Sequence, residues 1–280
     1  MLIDLHVTPH EISPTALAQA AREAGLHGVV VTDTNRTDRL PAYLDALRAA
    51  GLAAYGGVEL ALVRGFLVLI PSQLNASFLG TTWSPSTGRW TAQDALAAAK
   101  AVPGAIIAGH PYCRDLESVL FDTVFTLDGL NGVETRVGRG RPLWDSMADG
   151  VAERKTLSHI GSSGGDPAFI GRAMTYVHGE RLTQADVVTA IKDQLVWPIE
   201  MEARGQSRPR EEEYVEPPRR SDDEAGEGGG EGGERPRTDD RGERPRRDDR
   251  GGRPGGRGGR DDRGGRSGGG DRGGPRRRRD

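Results

Sequence analysis

Within residues 1–134, five short apolar runs each stop on a histidine or a carboxylate. Residues 2–5 lead into His6, 28–32 into Asp33, 52–58 into Glu59, 104–109 into His110, and 130–133 into Glu134. The run Gly-Val-Val-Val-Thr at 28–32 is apolar at both parities, as a parallel strand covered on both faces would be. Helical segments separate the runs. One starts at Ser13-Pro14, an N-cap followed by an N1 proline, carries Leu17, Ala20, Ala21 and Ala24 on one face, and stops at Gly25. A second covers 38–50 and stops at Gly51. Strands alternating with helices predict a parallel α/β architecture. In such folds, polar residues at successive strand ends collect at one face.

The remaining stretches fit the same scheme. Residues 53–60 and 66–70 read as strands joined at Arg64-Gly65, and 71–90 as a long loop carrying Trp83 and Trp90. An Ala-rich helix follows at 91–102, then strands at 105–108 and 132–135, with 124–127 a short run of open type. A helix at 142–154 precedes a strand at 157–160, which enters Gly161-Ser-Ser-Gly-Gly-Asp166. Strands at 173–177 and 196–201 bracket a helix at 183–193, whose Thr183 and Asp186 have the spacing of a capping box. His159 sits near its strand's end and reads as structural.

Composition breaks sharply after residue 202. Residues 203–280 hold 22 Arg against 19 Asp and Glu and almost no aliphatics. The whole chain has 38 Lys and Arg against 41 Asp and Glu, which leaves 16 against 22 for residues 1–202. The sequence therefore predicts two parts: a folded domain over 1–202 and a disordered, low-complexity Arg/Gly/Asp tail over 203–280, too poor in apolar groups to offset its ordering entropy. The single cysteine, Cys113, excludes an internal disulfide and points to a reducing compartment. With no basic, apolar leader and no run of about 20 apolar residues, the expectation is a cytoplasmic chain with no membrane contact. Nothing in the sequence sets an oligomeric state.

The strand-end residues, taken in order, resemble the PHP family (polymerase and histidinol phosphatase). The matching pieces are Asp4-Leu5-His6, Val31-Thr32-Asp33, Gly57-Val58-Glu59, Gly109-His110-Pro111, Gly132-Val133-Glu134, Gly161-Ser162 and the stretch Ile170 to Thr175. The resemblance covers most of residues 1–200. It implies a distorted (β/α)7 barrel with a divalent-metal cluster at the strand C-termini, in a family whose active members hydrolyse phosphoesters. It also implies departures. Thr8 stands where the family has a second histidine, and Thr34 where Thr-Asp-His would put one. Phe66 or Leu67 takes another histidine position, and Ser163 and Gly165 replace an aspartate and a histidine. The ligands that remain are His6, Glu59 and His110, with the family placing His6 and His110 on different metals bridged by Glu59. Asp33 and Glu134 match the family's flanks.

Two imidazoles and a carboxylate form a recognised catalytic zinc set. The cofactor expectation is thus none, or one divalent ion of Zn, Mn or Fe on His6, Glu59 and His110. Asp166 and His10 are further site candidates: a shifted alignment returns Asp166 to the site, and His10 lies four residues past His6. Cys113, three residues past His110, reads as a small buried group or a soft-metal ligand. Arg136, Arg139 and Arg141 follow Glu134 and are candidates for phosphate, or a solvated basic loop. The tail either contacts nucleic acid through arginine or solubilises the chain, and 251–280 carries 10 Arg against 4 Asp. Three functions stay open, and no residue is assigned a catalytic role. The first is a barrel with a degenerate centre, a pseudoenzyme or weakly active protein that binds a phosphorylated or nucleic-acid ligand. The second is a metal-dependent phosphoesterase with a reduced site. The third is an interaction protein acting through an RNA-binding tail.

Overall fold

The computed structural model describes residues 1–85, 88–114 and 119–201. The predicted tail, 203–280, lies outside the described residues. The elements in chain order are β1 (Leu2–Val7), α1 (Pro14–Glu23), β2 (Gly28–Thr34), α2 (Leu40–Ala49), β3 (Ala53–Ala61), β4 (Phe66–Pro71), α3 (Ala76–Leu79), α4 (Ala92–Lys100), β5 (Gly104–Gly109), β6 (Gly132–Val137), α5 (Pro142–Lys155), β7 (Ser158–Ser162), β8 (Ala173–Val177), α6 (Gln184–Lys192) and β9 (Val196–Glu200). Single 3-10 segments cover Phe121–Thr126, the run of open type, and Pro167–Phe169. The predicted long loop contains the short α3, capped by the Asn75 side chain.

One nine-stranded sheet, ordered β7-β6-β5-β4-β3-β2-β1-β8-β9, curls into a nearly closed barrel. The distorted α/β barrel expected from the sequence is therefore present, with nine strands where the family resemblance implies seven. Strand direction is mixed. β1, β2 and β3 run parallel, as do β5, β6 and β7. β4 is antiparallel to both of its neighbours, because the turn at Arg64-Gly65 folds it straight back on β3. β8 and β9 extend the sheet antiparallel beyond β1.

Two apolar layers follow from the alternation of side chains along each strand. The barrel interior holds Ile3, Leu5, Val30, Val68, Ile107 and Ile160. Its open end is filled by Val187, Val188 and Ile191 of α6, and α6 itself starts from the Thr183–Asp186 capping box that the sequence predicts. The outer layer joins the opposite strand faces to Leu17 and Ala21 of α1, Leu44 and Leu47 of α2, Leu96 of α4 and Val151 of α5. Burying an apolar side chain of this size contributes about 1.5–3 kcal/mol. With α6 closing one end, the site is left to the other, where β1, β3, β5, β6 and β7 finish. Among the described residues no helix is long and apolar enough to cross a membrane.

Candidate metal centre

β1, β3 and β6 bring His6, Glu59 and Glu134 to the same end of the barrel, and His110 follows directly on β5. All four are sealed from solvent: His6 is 1%, His110 2%, Glu134 1% and Glu59 5% exposed. The hub is Glu134. Its Oε1 lies 2.8 Å from His6 Nδ1 and accepts a short hydrogen bond from Ser162 Oγ. Its Oε2 accepts from the His110 backbone N–H at 2.7 Å and faces His110 Nδ1 at 3.0 Å. The two imidazole rings lie parallel, 8° apart, with centres 5.7 Å from one another.

His6 is held from both sides, since its Nε2 lies 2.8 Å from Glu59 Oε2. Ionised carboxylates only accept hydrogen bonds, so with both carboxylates ionised this arrangement favours the imidazolium form of His6. Burial opposes that charge, but Glu134 and Glu59 outweigh it and push the His6 pKa up to about 10. The carboxylates respond in kind. Burial alone would raise both, yet the His6 cation and the hydrogen bonds hold Glu59 and Glu134 below the usual carboxylate range. Beneath them, burial pushes Asp4 up to about 7, against hydrogen bonds from the Ser163 and His6 backbone N–H groups.

Two threonines turn to the Glu59 carboxylate. Thr34 Oγ1 donates to Glu59 Oε1 at 2.6 Å, and Thr8 Oγ1 to Glu59 Oε2 at 3.4 Å. Residues 163–166 then strap across the cluster. Ser163 Oγ donates to the His6 carbonyl at 2.8 Å, and Gly165 exchanges backbone hydrogen bonds with His6 and Thr8. At Gly165, with φ +79°, a β-carbon would sit 3.2 Å from both Glu59 Oε2 and His6 Nε2. A side chain at this position would therefore crowd the Glu59–His6 pair.

The other sequence candidates lie apart from this cluster. Asp33 is buried but clamped by Arg39, whose Nε and Nη2 reach its two oxygens at 2.6 and 2.8 Å. His10 is exposed on a loop, with its carbonyl bound by Arg39. Asp166 caps the 3-10 segment at Ala168 and pairs with Arg139. Arg136 pairs with Asp149, which also meets His159 at 3.0 Å. Arg141 lies over the Trp144 ring. Thr8, Thr34, Ser162, Ser163 and Asp4 complete the network; in the sequence Asp4 and Ser162 stand within matching pieces and Thr8, Thr34 and Ser163 as departures, and none of the five is a sequence candidate for the site.

Ligand chemistry centres on three of these residues. His6, His110 and Glu134 each offer one donor atom, all within 4.8 Å of one another. His110 Nε2 is buried with no hydrogen-bond partner. Since His110 Nδ1 faces a carboxylate, its Nε2 carries the lone pair that a metal ligand needs. Beside it lies a cavity of about 10 Å³, lined by Cys113, Tyr112, Trp144 and Asp145 among others, which has room for about one water. By donor type the cluster fits a single divalent ion.

No family profile matches the chain, and no curated protein matches it by sequence. Solved structures do. An amidohydrolase from Chromobacterium violaceum with sulfate bound and no metal has a TM-score of 0.48 at 16% identity, over 70% of this chain and 97% of that one. A protein from Bifidobacterium adolescentis, proposed to be a metal-dependent phosphoesterase, has a TM-score of 0.50 at 17% identity, over 73% of this chain and 98% of that one. At that identity the likeness shows the fold, and the fold is consistent with a PHP-like barrel.

Proposed function

We propose that this chain is a PHP-type barrel whose metal centre has become a proton-bridged core, and that it binds a phosphorylated or nucleic-acid ligand without turning it over. One observation carries the reading: His6 sits between Glu59 and Glu134 with both nitrogens engaged, under a backbone strap at Gly165. A catalytic metal needs deprotonated ligands and an open coordination position facing substrate. Both His6 nitrogens lie against carboxylates, and Thr8, Thr34 and Ser163 engage their hydroxyls inside the network.

The test is metal content. The full chain is purified after growth with Zn, Mn and Fe available, beside His6→Ala and Glu59→Ala, and read by elemental mass spectrometry. Metal well below one ion per chain in the folded wild type is expected. About one tightly held ion per chain, lost in both variants, would overturn the reading.

A second reading is a phosphoesterase with a reduced site, and the unpartnered His110 Nε2 favours it. In that case His6, His110 and Glu134 hold one ion. When bound, such an ion lowers the pKa of its water and polarises a phosphoryl oxygen. For this, His6 must give up a proton and the strap must move off Glu59. The B. adolescentis protein, of like fold, is proposed to be a metal-dependent phosphoesterase.

A further inference from the structure

A second cavity, of about 320 Å³, opens at the end of the barrel away from the candidate centre. It lies between the stretch from Ser72 through α3 on one side and the turn after α4 on the other. Strand register fixes that position. Pro71, the last residue of β4, pairs with Gly104, the first of β5, whereas His110 follows the opposite end of β5. The six residues of β5, at about 3.3 Å each, put roughly 20 Å between the two places. Gln184 at the start of α6, the helix that closes this end, holds the Pro71 carbonyl at 2.9 Å.

The walls are set by the fold itself. The Ser72 N–H donates to the Pro103 carbonyl at 2.8 Å and ties the two sides together. Thr37 Oγ1 donates to the Leu79 carbonyl at 2.9 Å, and the Phe78 ring packs on Trp83 with centres 5.3 Å apart, so α3 is pinned at two points. The polar side chains around the cavity keep bonding capacity to spare. Asn75 Oδ1 accepts the Phe78 N–H at 2.9 Å, which leaves its NH2 group as a donor. Thr81 Oγ1 donates to the Ser77 carbonyl at 2.7 Å, which leaves that oxygen as an acceptor. Among the described residues, the side chains of Ser72, Gln73 and Ser77 make no hydrogen bond.

This lining selects a ligand chemistry. Hydroxyls and amides meet the apolar Phe78 and Val102, and among the described residues no charged side chain lines the cavity. A phosphate or carboxylate would be desolvated with no cation beside it, and an ammonium with no anion. The balance of residues 1–202, 16 Lys and Arg against 22 Asp and Glu, further disfavours anions. Neutral hydroxyls both donate and accept, as these side chains do. The volume stands at the small end of ligand pockets, about 300–1,000 Å³, which suits one ring rather than a chain. We infer that this cavity is a second binding site, for an uncharged, hydroxyl-rich molecule of monosaccharide size. Its C–H groups rest on the apolar side, and its hydroxyls bond Gln73, Asn75 and Ser77. The inference goes beyond the reading above and holds whether or not the candidate centre takes a metal.

The test is saturation-transfer NMR on the full chain with glucose, galactose and mannose, each beside its phosphate ester. At least one neutral hexose should receive saturation and titrate to a plateau, ahead of its ester. Gln73→Ala removes an amide and should weaken that binding about fivefold. Ser77→Phe fills the cavity and should abolish it. Both positions are exposed, and thermal melts check that the variants fold. Absence of saturation in all three hexoses overturns the site, as does hexose binding that both variants retain. A phosphate ester that binds more tightly than its hexose overturns the uncharged class of ligand.

Discussion

An imidazole pinned between two carboxylates behaves as a cation built into the fold, and its titration should be visible in stability. The His6 pKa rises from 6.5 to about 10 on folding. Its contribution is therefore complete below pH 6.5 and is lost as pH climbs toward 10. Glu59 and Glu134 work in the other direction: held below 4.5, they contribute above that pH and lose the contribution as pH falls. Asp4 rises from 3.8 to about 7, so its preference for the folded state is spent by pH 7. The Met1 amine, which burial holds below its usual 8.0, works against this slope up to pH 8, so the window from 8 to 10 belongs to His6. The melting temperature of the wild type should fall across that window. His6→Gln should be less stable at pH 7 by about 3 kcal/mol, because it breaks a buried charge network, and its profile should be flat where the wild type slopes. Parallel slopes in the two proteins would mean that His6 is not the titrating cation.

Elements place these residues, and the elements were only partly legible. His6, Glu59 and His110 each end an apolar run, and a run's end is visible in one dimension. Glu134 ends one too, yet its place at the hub depends on how β6 lines up beside β5, where Ala108 pairs with Val133. No periodicity within a single run reports that register. The helix at α6 was readable from its capping box, but not that its apolar face would enter the barrel, since a buried stripe looks the same whichever core receives it. The strap was the least visible element. Ser163 and Gly165 read as replaced ligands by resemblance alone, whereas the backbone there makes a left-handed turn hydrogen-bonded to His6 and Thr8. That turn gives a direct test. Gly165→Ala puts a methyl in a strained conformation, 3.2 Å from Glu59 Oε2 and His6 Nε2. It should cost about 1–3 kcal/mol in denaturant unfolding. A neutral result would show that the strap stands off the cluster in solution.

For the whole molecule, the outstanding problem is closure. The sheet begins at β7 and ends at β9, and among the described residues no strand ladder joins the two ends. Where β7 passes β8, one side chain stands in for the missing ladder. Thr175 Oγ1 accepts from the Gly161 N–H at 2.9 Å and donates to the Gly161 carbonyl at 2.8 Å. Gly161 has to be a glycine there, because a β-carbon would collide with the Met174 carbonyl. β7 ends on Ser162, which bonds Glu134, and Ser163 just past it bonds Asp4 and the His6 carbonyl. The seam and the candidate centre are therefore one continuous hydrogen-bonded strip. Thr175→Val keeps the shape and removes the hydroxyl, leaving a buried N–H and C=O without partners, at a cost of about 1–3 kcal/mol. The loss should not stay local. Amide exchange should quicken along β7 from Gly161 to Ser163 and at His6, while α1 and α2, packed on the far strands, keep their protection. Uniform quickening would mean that the barrel opens as one unit and that the seam is no weaker than the rest. Quickening confined to β7, β8 and β1 would identify the seam as the place where the candidate centre is opened.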